Sequence, residues 1–284
     1  MYAVTSPSEE GAGPDLCALL ERAQGAVRLS VARNGTRSVL REAYQQGSFK
    51  LRFPRVFEGG QCEAVLINTA GGVTGGDRFA ADIAAGEGSA LTLATQAAEK
   101  VYRSSGGEAR IAVRLKAGAG ARLEWLPQET ILFDRGQLAR TLDVEMDADA
   151  TVLLCEAVVL GRTAHGETVR TGALRDRWRV RRQGRLVYAD DLRVGGEIAA
   201  ATAGAATLGG GSSFASLLLI APDAEARLDA VRTALDDVAA VAGASAWDGL
   251  LAVRAVARGG QDLRRALLRV LDALGTDAPR VWSI

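Results

Sequence analysis

Of the 34 basic residues in this 284-residue chain, only three are lysine: Lys50, Lys100 and Lys116. Histidine is scarcer still, with His165 alone, and the three cysteines, Cys17, Cys62 and Cys155, are odd in number and far apart. Selective zinc or nickel sites draw on His and Cys, so the chain has little with which to build a tight one. Such cysteine usage suits a reducing compartment. His165, in "GRTAHGE", has no G-x-S-x-G or H-E-x-x-H companion, which makes it a loop residue rather than part of a triad or zincin. Neither sign of charge is in excess, with 34 acidic against 34 basic residues. That removes any whole-chain electrostatic case for nucleic acid or an anionic membrane. No apolar run is long enough to span a bilayer. The opening "MYAVTSPSEEGAGPD" carries neither the basic nor the apolar region of a secretory signal. A cytoplasmic protein is expected, with residues 1–18 as a flexible tail.

Glycine, by contrast, is plentiful. Four of the 33 fall in six positions of "LINTAGGVTGGDRF", residues 66–79. The spacing from Gly71 to Gly76 fits the first half of a P-loop, but the lysine position holds Asp77, whose carboxylate would repel phosphate. No Ser or Thr follows for magnesium, and the dinucleotide pattern G-x-G-x-x-G is not met. The loop serves some end other than nucleotide binding.

From about residue 25 to 220 the chain reads as short β-like segments punctuated by glycine: 26–33, 62–69, 89–96, 109–118, 121–127, 140–147 and 151–161, then a hairpin turning at Gln183-Gly184. Segments at such short intervals, with no long helix between them, predict a mainly β body of stacked or sandwiched sheets over residues 19–212. No strict period emerges, so a regular repeat is not demonstrable; an irregular solenoid fits. Residues 213–284 change character. A strand over 213–221, an amphipathic helix over 222–242, a strand from 249 and a helix over 261–275 predict a small α+β portion with two helices, packed on the body.

Carboxylates in otherwise apolar strands are the candidate chemistry. Glu156 interrupts "TVLLCEAVVLG", Asp190 and Asp191 interrupt "RLVYADDLRV", and Asp77 ends the glycine loop. A buried carboxylate is costly unless paired, neutralised or hydrated. Two readings stay open: pairing with the abundant arginines, or a polar interior surface where oxygen ligands hold a divalent ion weakly and release it. "EWLPQETILFDRG" (124–136) likewise reads either as a structural turn or as a protein contact anchored by Trp125 and Phe133.

Six segments, "LINTAGGVTGGD", "TQAAEKVYRSSGG", "EWLPQETILFDRG", "LGRTAHGE", "LRDRWRVRRQGRLVYADDLRV" and the closing "PRVWSI", together resemble the urease accessory proteins UreD, called UreH in some organisms. They run in the family's order over roughly residues 20–284. The resemblance implies an elongated β-helical body and a non-enzymatic assembly factor. Its implied partners are the urease apoprotein and UreF, with UreG reached indirectly through UreF, and neither nucleic acid nor membrane. It also implies transient nickel rather than a stable cofactor, carried along an internal acidic tunnel to which Asp77, Glu156 and Asp190 correspond by motif position. The alternative from another class is a carboxylate-dependent hydrolase on a β-solenoid body, which needs two carboxylates facing each other across a cleft at roughly 5–10 Å.

Overall fold

Glycine-punctuated apolar segments become strands that alternate between two sheets. The computed structural model describes residues 22–54, 60–162 and 166–283; the expected tail (1–18) and His165 lie outside these residues. Four successive coils each send one strand to either sheet. The first takes β4 (Cys62–Asn68) and β5 (Arg78–Ala85), the second β6 (Ala90–Thr95) and β8 (Ala109–Ala117). The third takes β9 (Arg122–Trp125) and β11 (Gln137–Met146), the fourth β12 (Thr151–Leu160) and β13 (Thr171–Arg182). Equivalent strands of neighbouring coils pair in parallel, Ala90 against Arg122 and Arg122 against Thr151. The spacing between those partners is unequal, which is why no strict period shows in the sequence. The result is a mainly β, solenoid-like stack.

Antiparallel strands finish both sheets. β1 (Gln24–Asn34), parallel to β5, and β2 (Arg37–Gly47), antiparallel to β1, close one side of a seven-stranded sheet, and β14 (Arg185–Glu197), antiparallel to β13, closes the other. The second sheet is ten-stranded, with β3 (Phe49–Arg52) at one edge and β15 (Ser213–Ile220), β17 (Leu250–Ala257) and β16 (Ala240–Trp247) added beyond β12. Short strands β7 (Glu99–Val101) and β10 (Thr130–Leu132) pair with each other beside β12. Because β15 pairs with β12 in unbroken register, the C-terminal strands extend the sheet of the coils.

The core has two layers. Between the sheets lie inward rows such as Val27, Leu29 and Val31 of β1 and Leu138, Leu142 and Val144 of β11. On the outer face of the ten-stranded sheet, Leu153, Cys155, Leu217 and Leu219 meet the apolar sides of α2 (Leu228–Leu235) and α3 (Gly260–Ala273). β12 therefore contributes to both layers and reads as a continuous apolar run, as a strand buried on both faces should.

Three sequence expectations change. The helix expected over 222–242 is only α2; residues 240–247 form edge strand β16. Alanine favours helix intrinsically, but here pairing with β17 decides, and alternate residues of β16 are exposed. β2 was not expected: it is exposed along nearly its whole length and carries no apolar alternation to read. A short third helix, α1 (Ile198–Ala203), follows β14 and is anchored by buried Ile198.

Leu154, fully buried between the sheets, gives a direct test of that layer. Leu154→Ala is expected to lower unfolding free energy by about 2–5 kcal/mol through lost burial and a residual cavity, measured by denaturant titration.

Candidate functional site

An arginine stands in the inward row of β11, in phase with Leu138 and Leu142. Arg140 is buried, and parallel pairing places Asp176 of β13 opposite it. Its guanidinium grips Asp176 in bidentate fashion, Nε to Oδ1 at 3.2 Å and Nη2 to Oδ2 at 2.6 Å, and donates to Thr130 Oγ1 at 3.1 Å. From the opposite sheet, Glu156 closes an ion pair with Arg140 through Oε2. That oxygen takes no aligned hydrogen bond of its own, while Oε1 accepts from the Trp125 indole at 2.8 Å. Burial pushes the Glu156 carboxyl up to about 7, although Arg140 and Trp125 pull the other way. Burial also works against the Arg140 charge, yet the two carboxylates keep its pKa above the ordinary value. The guanidinium is permanently charged here.

This cluster borders a cavity of about 270 Å³ between the sheets. The lining also includes Asn68, Gly71, Gly72 and Glu99. Both oxygens of Glu99 accept from Asn68 Nδ2, at 3.1 and 3.2 Å. Burial raises this carboxyl to about 7 as well, against the lowering effect of Asn68. One space thus holds two carboxyls that burial raises above the ordinary value, beside amide and hydroxyl oxygens.

Asp77 has a different setting. Its Oδ1 accepts from the Ala23 N–H at 2.9 Å and its Oδ2 from the Thr74 N–H at 2.8 Å, so it fastens the glycine loop to the chain entering β1. The glycines answer to close packing. A Cβ on Gly72, where φ is +148°, would lie 2.3 Å from the Tyr102 ring, and one on Gly75 would lie 2.0 Å from Ser104 Oγ. Asp190, on β14, bonds Arg254 Nη2 of β17 at 2.5 Å and lines a separate groove with Ser216. Its neighbour Asp191 is held by Arg193. Of the three candidate carboxylates, only Glu156 lines the inter-sheet cavity. Sequence reasoning did not single out Arg140, Asp176 or Glu99.

"EWLPQETILFDRG" serves as an anchor for the end of the chain. Gln128 and Glu129 bind the Arg264 guanidinium of α3, at 2.9 Å and at 2.8 and 2.5 Å. Arg264 Nη1 in turn donates to the Trp282 carbonyl at 2.7 Å, and the Trp282 indole donates to the Leu126 carbonyl at 3.0 Å.

Among the described residues, no three His, Cys, Asp or Glu side chains are grouped to hold a metal ion. Burial raises the thiol pKa of both Cys62 and Cys155, and a neighbouring Glu adds to this in each. Thiolate ligation is disfavoured accordingly. No helix among these residues is long and apolar enough to cross a membrane.

The family model for the UreD urease accessory protein matches residues 23–283. The chain belongs to the UreD family. It is 49% identical over 266 residues to a urease accessory protein UreD of Rhizobium leguminosarum bv. trifolii, covering 93% of this chain and 96% of that one. A UreD of Xanthobacter autotrophicus is 49% identical over 267 residues, covering 94% and 92%. A UreD of a Methylobacterium species is likewise 49% identical over 272 residues, covering 93% and 95%. The match takes in every coil of the β stack, so the cavity and its ion cluster lie inside the UreD region.

Two outcomes follow for this site. Arg140→Leu leaves Glu156 and Asp176 buried without their cation and is expected to cost about 3–5 kcal/mol, read from denaturant unfolding. The folded-state pKa of Glu99 lies near 7, above the ordinary 4.5. It therefore favours the folded state fully below about 4.5, and that contribution is lost as pH rises to about 7. Stability measured across this window is expected to fall less steeply in Glu99→Gln.

Proposed function

We propose that the chain acts in urease maturation as a non-catalytic cytoplasmic scaffold, which binds the urease apoprotein and UreF, meets UreG through UreF, and helps pass nickel toward the urease active site. Membership of the UreD family carries the maturation role, and the inter-sheet cavity with Glu99 and Glu156 is the observation that supports the nickel step. Hard oxygen donors without thiolate or imidazole hold a divalent transition-metal ion loosely, which suits passage and not storage. A carboxyl that titrates near neutrality can take the ion in exchange for its proton and recover the proton on release. Nickel is cargo on this reading, and no stable cofactor is involved.

The proposed path takes in Asp77, Glu156 and Asp190, with Glu156 facing the cavity, Asp77 at the end of the loop that supplies part of its lining, and Asp190 on β14 at the far edge of the seven-stranded sheet. The carboxylate-dependent hydrolase is the weaker reading. Glu156 and Asp176 are both drawn onto Arg140, an arrangement that does not pose them as acid and base across a substrate.

Urease matured in a host carrying the structural subunits and the other accessory proteins gives the test. Omitting this chain is expected to leave assembled urease without nickel; full loading without it would end the maturation reading. With Asp77, Glu156 and Asp190 all replaced by alanine, nickel per urease is expected to fall below half while capture of the apoprotein and UreF persists. Normal loading by that triple variant would remove the acidic path.

A further inference from the structure

Four segments that stand apart in the sequence converge on one surface patch. Val73 of the glycine loop bridges Val101, strand β7 pairs with β10, and Arg103 bridges Gly136. The Gly161 N–H donates to the Leu132 carbonyl at 2.8 Å, which brings in the segment after β12. At the centre exposed Tyr102 meets buried Phe133 edge to face at 5.2 Å, and the Arg162 guanidinium covers the Phe133 ring at 4.6 Å from its centre. Arg103 and Arg135 are exposed beside them. Arg135 is held at φ +64°, with its N–H donated to the Thr171 carbonyl and its own carbonyl accepting from the Ser104 N–H.

Charge on this patch is lopsided in what it offers outward. Asp134 Oδ1 is occupied by the Arg170 and Thr171 N–H groups at 2.7 and 3.1 Å, and its other oxygen reaches Arg135 only at 3.9 Å. Glu167 is turned onto the Arg162 N–H and Nε, at 3.0 and 2.8 Å, and accepts from the Asp134 N–H at 3.3 Å. Both carboxylates are thus used to shape the loops. Arg103 has no ion-pair partner among the described residues, and Arg162 keeps its terminal nitrogens outside the Glu167 contact. Three guanidiniums around an exposed tyrosine resemble the composition of interface hot spots.

We infer that this patch docks an acidic segment of a protein partner, its carboxylates taken by Arg103, Arg135 and Arg162 and its apolar atoms seated on Tyr102. Guanidinium forks match carboxylates in bidentate geometry. The inference rests on the reading above that the chain binds other proteins of urease maturation, and it assigns a surface to that binding. The patch and the cavity share the glycine loop: the Tyr102 hydroxyl donates to the Gly71 carbonyl at 3.1 Å, and Gly71 lines the cavity. A partner seated here would touch the loop that borders the interior space.

The test captures purified urease apoprotein and purified UreF, separately, on the immobilised full chain at low and physiological salt. Arg103→Glu with Arg135→Glu is expected to weaken capture of one of the two by about tenfold or more, with a larger loss at low salt. Arg41→Glu with Arg269→Glu, the same charge change at exposed positions elsewhere, is expected to leave capture unchanged. Thermal unfolding is followed in parallel, and Arg103→Ala with Arg135→Ala gives the same comparison if charge reversal disturbs the loops. Undiminished capture of both proteins by folded patch variants overturns this inference and leaves the scaffold reading intact. Failure of the unaltered chain to capture either protein removes the scaffold reading, and this one with it.

Discussion

A permanently charged guanidinium between two sheets is the constraint around which the interior is arranged. Arg140 can remain there because Asp176, Glu156 and Thr130 supply oxygen on several sides; without them the desolvation cost of the ion would be unmet. The requirement fixes several alignments together. β11 and β13 must pair so that residue 140 faces residue 176, and β12 must present Glu156 inward between Leu154 and Val158. Trp125 must in turn direct its indole to the remaining Glu156 oxygen. Polar side chains locked into this geometry do not interdigitate as Leu and Val do in the rest of the layer, and the cavity lies beside them.

The glycine loop connects this interior with the outside. Asp77 gathers two backbone N–H groups from separate stretches, which lets a segment rich in glycine keep one shape. Gly72 and Gly75 then allow the 100–107 segment to lie against it without a Cβ in the way. A pattern that looks like half a phosphate loop is a packing joint, and the acidic residue that spoils the phosphate reading is the one that secures it.

Much of the β stack was legible because apolar alternation and glycine punctuation are local signals. The segments expected at 62–69, 109–118 and 151–161 correspond to β4, β8 and β12. Others were legible only in part. β5 alternates Phe79, Ala81 and Ile83 toward the core, a signal that alanine weakens, and β16 reads as helix because its alanines favour helix until β17 pairs with it. Glu156 declared itself by interrupting an apolar run. Arg140 sits in phase with inward leucines and could have been flagged by the same logic. Asp176 could not, since its place opposite Arg140 depends on the register between coils. Glu99 shows nothing unusual in sequence; its burial and its Asn68 partner arise only from tertiary packing.

The latch at the end of the chain bears on the order of events during synthesis. The Trp282 indole bonds a carbonyl 156 positions earlier in sequence, and Arg264 holds Gln128 and Glu129 from a similar remove. The parallel coils can stack one on another as they leave the ribosome, each on the coil before it. β15, β17 and α3 arrive afterward, and the Arg264 and Trp282 contacts form only after the coils they fasten are in place. Until then Leu153, Cys155 and the rest of the outer face of the second sheet are bare. The nascent protein therefore passes through an interval in which this apolar face waits for α2 and α3, and any factor that slows synthesis between β12 and α3 prolongs that exposure.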